Sequence, residues 1–104
     1  MKFKKLKEID IIGHTFKIVW EPKKFGGSFD FDGWVMKIGC GDIKENNPQI
    51  TWQILMHEIS EIVHAILNTR YVDRGTSEDY KFFMSHKEFQ NHNTILSSIM
   101  WKFI

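Results

Sequence analysis

The sequence predicts an α+β domain, a small antiparallel sheet of three to five strands with two helices packed on one face. Three observations carry this. Apolar and polar residues alternate with the period of a strand in the first part of the chain, one helical stripe begins at Pro48, and a second begins after Ser85. At 104 residues the chain has room for one domain with a real core, and two layers exhaust it. Residues 1–47 read as strands and loops, 48–69 as a central helix and 85–104 as a C-terminal helix.

Taken in order, residues 9–12 and 15–20 are strand-like and flank Gly13-His14, with Phe16, Ile18 and Trp20 alternating along the second run. A hairpin is expected there. After a stretch rich in Lys and Gly, Phe29-Asp30-Phe31 and residues 34–38 bracket Asp32-Gly33, a dipeptide suited to a tight hairpin turn. Asn47-Pro48 offers an N-cap followed by proline at the first helical position, where its missing N–H costs little. In the helix that follows, Leu55, Ile59, Ile62, Val63 and Ile66 recur at i, i+3, i+4, i+7 spacing. Asp73-Arg74-Gly75 is a turn, and residues 80–84 are a short strand candidate. Ser85-His86-Lys87-Glu88 has the S-x-x-E form of a capping box, and Phe89, Leu96, Ile99, Met100 and Phe103 continue an apolar stripe.

Composition narrows the function classes. A formal net charge of +1 gives no reason to expect nucleic acid or an anionic membrane as partner. The basic cluster Lys2, Lys4, Lys5, Lys7 precedes an apolar run that is too short for a signal-peptide core. A lone cysteine, Cys40, excludes an internal disulfide and a cysteine-based zinc site, and makes a reducing cytoplasm the simplest setting. The four tryptophans and nine phenylalanines fit core positions on strands and helices better than a base-stacking platform.

The chemistry concentrates in residues 57–64, His57-Glu58-Ile59-Ser60-Glu61-Ile62-Val63-His64, two imidazoles and two carboxylates within two turns and without one Lys or Arg. A solvated helix face favours Lys, Arg and Glu in alternating pairs. At roughly 100° per residue, His57, Glu61 and His64 lie within about 60° of one another, while Glu58 is rotated by about 100° toward the apolar stripe. His57 and Glu61, four apart, can share an ion, and Glu58 is displaced enough to meet a metal-bound water. His64 lies about 10 Å further along the axis than His57, which makes it a less favoured ligand for the same ion, though it is within reach of Glu61.

A catalytic zinc takes three protein ligands, so a third comes from elsewhere. His86 opens the second helix, and His92 lies in its apolar stripe; Glu88 is taken by the capping box. His57, Glu61 and His86 together make a two-histidine, one-carboxylate set of the composition used by zinc hydrolases. Zinc ranks first, with other divalent transition metals compatible with the same ligands. The Glu-x-x-His form of Glu61 and His64 also occurs in di-iron bundles, but those need a second copy and four helices.

The stretch Leu55-Met56-His57-Glu58-Ile59-Ser60-Glu61 resembles the L-x-H-E-I-x-E or L-x-H-E-I-x-H motif of small phage- and prophage-type proteins that are similar to minimal zinc metallopeptidases. The likeness covers about the second half of the chain. It implies a minimal zincin-like core with His57 and Glu61 as ligands, Glu58 as general base and His86 as third ligand. The chain departs from the H-E-x-x-H pattern at Glu61, which bears on peptidase activity more than on metal binding. The expectation is a small cytoplasmic zinc-dependent hydrolase of the peptidase type acting on a peptide or protein. The alternative is a non-catalytic interaction protein stabilised by a closed metal site, in which His64 or His92 supplies a fourth ligand.

Overall fold

The computed structural model describes residues 3–41, 48–68, 70–72, 80–82 and 84–104. Strand β1 (Glu8–Ile11) and strand β2 (His14–Glu21) form the first expected hairpin, closed by Ile12-Gly13 between the paired residues Ile11 and His14. Both turn residues have positive φ, 50° and 80°. That backbone matches the right-handed twist of the strands it joins.

Strands β3 (Gly27–Asp30) and β4 (Val35–Gly39) form the second hairpin. Its turn is longer than Asp32-Gly33 alone suggests, because Asp30 pairs with Val35 and leaves four residues between the strands. The backbone N–H of Asp32 donates to Asp30 Oδ1 at 2.8 Å, the side chain closing the turn as aspartate does in loops. The extra residues place Phe31 and Trp34 edge-on against Phe16, with Trp34 also stacked on His14 at 4.5 Å. Aromatic packing explains the wider loop.

The sheet runs β1-β2-β4-β3 and is mixed rather than antiparallel, since β4 lies parallel to β2. The loop after β2 carries the chain outward, so β3 takes the edge and its hairpin partner β4 fills the place beside β2. Backbone bonds fix that excursion: Cys40 N–H donates to Glu21 O at 3.0 Å, Gly39 N–H to Gly26 O at 2.7 Å and Gly41 N–H to Lys24 O at 2.9 Å.

Helix α1 (Pro48–Ile66) packs on β3 and β4, and helix α2 (His86–Trp101) packs on α1 and β1. The α+β expectation is met. Ile9, Ile11, Phe16, Ile18, Met36 and Ile38 point from one face of the sheet onto Leu55, Ile59, Ile62 and Val63 of α1, with Ile99, Met100 and Phe103 closing the side. Each fully buried aliphatic side chain of this set stabilises the fold by roughly 2 kcal/mol.

The N-cap expected at Asn47 and the turn expected at residues 73–75 lie outside the described residues. At its other end α1 stops as Asn68 turns left-handed, φ 58°, a conformation asparagine tolerates at a helix C-terminus. Strand β5 (Arg70–Val72), not expected from the sequence, pairs antiparallel with β6 (Tyr80–Phe82), which falls within the strand expected at residues 80–84. Ser85 caps α2 through the expected reciprocal bonds: Glu88 N–H donates to Ser85 Oγ, and Ser85 N–H donates to Glu88 Oε1, both at 3.1 Å. No helix among the described residues is long and apolar enough to cross a membrane.

Candidate metal centre

Helix α1 sorts its polar residues by angle. Leu55, Ile59 and Ile62 define the buried stripe, and position 58 lies within that arc, three residues after Leu55 and four before Ile62. Glu58 is accordingly 6% exposed, whereas the His57 side chain, one step around the helix, is 68% exposed. One turn on, Glu61 returns to the His57 side with its side chain 18% exposed. The rotation expected for Glu58 is therefore observed.

His57 Nε2 and Glu61 Oε2 lie 3.1 Å apart. That is the distance of a direct (i, i+4) contact between imidazole and carboxylate, and it is close to the separation of about 3.3 Å between two ligand atoms on a tetrahedral zinc ion. His57, Glu58 and Glu61 each offer one ligand atom, and these atoms all lie within 4.8 Å of one another. The residues fit the metal, and imidazole with carboxylate suits zinc and its transition-metal neighbours.

Two depressions meet at this group. A groove of about 490 Å3 is lined by Gln53, Met56, His57, Ser60, Glu61, His64, Phe82 and Leu96. A second, of about 400 Å3, is lined by Gly26, Gly27, Ile50, Gln53, Ile54, His57 and Glu58. His57 and Gln53 border both. The first depression has an apolar wall in Met56, Phe82 and Leu96, and the second opens beside the edge strand β3.

His86 does not join the group. It is exposed at the first residue of α2, and the described residues contain no set of three close metal-ligating side chains that includes His86, His64 or His92. The capping box explains its position, since it engages Ser85 and Glu88 at the helix end and leaves His86 toward solvent. Glu58 is the third member of the close group instead. His64 and His92 meet each other, with ring centroids 4.7 Å apart, and His64 also lies against Phe82 at 4.8 Å. Burial, then the neighbouring His92, holds the His64 pKa below its ordinary value.

Sequence reasoning did not single out Gln53 or Gly27. Gln53 lies one turn before His57 on the same face and was legible from spacing; Gly27 comes from a strand whose position beside α1 depends on the topology. Cys40 is buried. No family model, no curated protein and no solved structure matches this chain, so its functional reading rests on the geometry of the α1 cluster.

Proposed function

We propose that the chain is a metal-dependent hydrolase of the zinc metallopeptidase type, with a peptide or protein as substrate. One observation carries the reading. His57, Glu58 and Glu61 converge within 4.8 Å at the meeting point of two open depressions, with the His57–Glu61 pair at ligand spacing. The likeness of residues 55–61 to phage-type metallopeptidases points the same way, and the lone buried Cys40 fits a reducing cytoplasm.

In this reading His57 and Glu61 would hold the ion, and a third protein ligand from outside the His57–Glu58–Glu61 group would complete the set a catalytic zinc takes. Bound there, zinc supplies Lewis acidity and lowers the pKa of water, so that a nucleophile is available near neutral pH. Glu58, buried between α1 and β3 with its carboxylate beside the pair, would be the group that takes a proton from water at the ion and passes it to the leaving amine. Met56, Phe82 and Leu96 seat an apolar side chain of the substrate on one side of the cut. His57, being exposed, leaves room for the carbonyl that is attacked.

The test is metal content on protein purified without chelators, followed by turnover of a fluorogenic peptide library. Retained zinc and a peptidase activity lost with chelator support the reading. A chain that neither retains zinc nor takes it up at micromolar levels overturns it.

A further inference from the structure

The imidazoles of His64 and His92 come from different helices and face one another across the α1–α2 contact, 4.7 Å between centroids and tilted by 44°. His92 is 5% exposed, and His64 is partly buried while still lining the groove of about 490 Å3. We propose that His64 and His92 form a second metal site, a two-histidine clasp for a transition-metal ion that joins α1 to α2. It is separate from the His57 group and does not depend on that reading.

Three features support the assignment. Two imidazoles on one tetrahedral zinc ion, bound at about 2.0–2.1 Å, place their ring centroids about 5 Å apart, close to the separation observed. The position is distinct, because seven residues of helix put His64 about 10 Å along the axis from His57, beyond the reach of an ion held there. His64 borders the groove, which leaves room there for the remaining coordination positions. Nitrogen donors select zinc, copper, nickel or cobalt over calcium and magnesium, which demand oxygen.

An ion bound between helices ties together elements that otherwise meet through apolar contacts. Binding to the folded chain alone raises stability in proportion to the logarithm of free metal. The clasp would therefore set how firmly α2 and the Leu96 wall sit against α1.

The probe is zinc alone, added to chelator-stripped full-length chain and counted per chain after removal of excess. The His57→Ala/Glu61→Gln double variant, lacking the first pair, is expected to keep one equivalent, and adding His64→Gln is expected to abolish it. In the unsubstituted chain, zinc is expected to shift the imidazole nitrogen resonances of both His64 and His92, a readout that needs no variant to fold. The clasp is overturned if the double variant, folded by circular dichroism, binds no zinc, if zinc survives His64→Gln in that background, or if the two imidazoles do not respond. Failure of the hydrolase reading looks different, because there the double variant loses no zinc relative to the native chain.

Discussion

Gly27 of β3 lies so close to Glu58 of α1 that a Cβ on it would come within 2.7 Å of Glu58 Cγ and 3.0 Å of Ile54 Cγ2. Side chains do not tolerate the first distance, so bare backbone at the sheet edge is what leaves room for the buried carboxylate. Gly27→Ala is expected to push Glu58 out of its position, at a cost of about 1–3 kcal/mol for the overpacked contact. On the proposed reading, zinc retention should persist, since the added methyl meets Ile54 and Glu58 and not His57 or Glu61. Urea unfolding, zinc content and turnover measured on one preparation separate the effects, and unchanged turnover would show that Glu58 works from another rotamer.

Substitution within the cluster divides ligand from base. Glu58→Gln preserves size and burial but removes the proton acceptor, so turnover is expected to fall by about 10²–10⁴-fold with zinc content unchanged. His57→Ala and Glu61→Gln are each expected to lower zinc content at the first pair and turnover with it. If Glu58→Gln loses zinc as readily as these two, Glu58 belongs to the ligand set and the base lies elsewhere. Metal analysis beside peptide turnover decides between the outcomes.

Residues 57–61 were legible because a helix converts spacing into angle. The sequence placed His57 with Glu61 and turned Glu58 inward, and the structure reproduces both at 3.1 Å and 6% exposure. His92 was legible as an inward residue for the same reason, and the Ser85–Glu88 box from its four-residue pattern. What could not be read depended on contacts between distant segments. Nothing local says that β4 pairs in parallel with β2, that Gly27 ends beside Glu58, or that His64 meets His92. His86 illustrates the limit: its place at the start of a helix was foreseen, but not the side of that helix on which it would emerge.

The β1–β2 turn contains a conflict between residue and backbone. Ile12 occupies the left-handed region at φ 50° immediately before Gly13 at 80°. A branched side chain there costs about 1–2 kcal/mol, whereas Asn-Gly is the dipeptide that two-residue turns with positive φ favour. Ile12 is 37% exposed and is not part of the hydrophobic core, so its replacement leaves the core packing in place. Ile12→Asn is expected to stabilise the chain by about 1 kcal/mol, raising the thermal midpoint by several degrees. An unchanged or lower midpoint would mean that contacts of the isoleucine side chain outweigh its backbone strain.

The capping box of α2 makes a prediction about acid. The Ser85 backbone N–H, then the Ser85 hydroxyl, hold the Glu88 pKa below its ordinary 4.5, with His92 adding to the effect and slight burial opposing it. The unfolded chain therefore binds a proton at Glu88 more readily than the folded one. The contribution is fully present above the unfolded value and is lost as pH falls through the folded one. Ser85→Ala removes the hydroxyl that accepts the Glu88 N–H and is expected to cost about 1 kcal/mol near neutral pH. Glu88→Gln keeps a side chain able to accept the Ser85 N–H but cannot titrate, so its unfolding midpoint should be less sensitive to acid than that of the native chain. Thermal melts from about pH 7 down to about pH 3 test this. The native and Glu88→Gln curves should approach one another at the acid end, because protonation makes the native carboxyl as neutral as the amide. A gap that stays constant across the range would assign the cap's contribution to geometry alone.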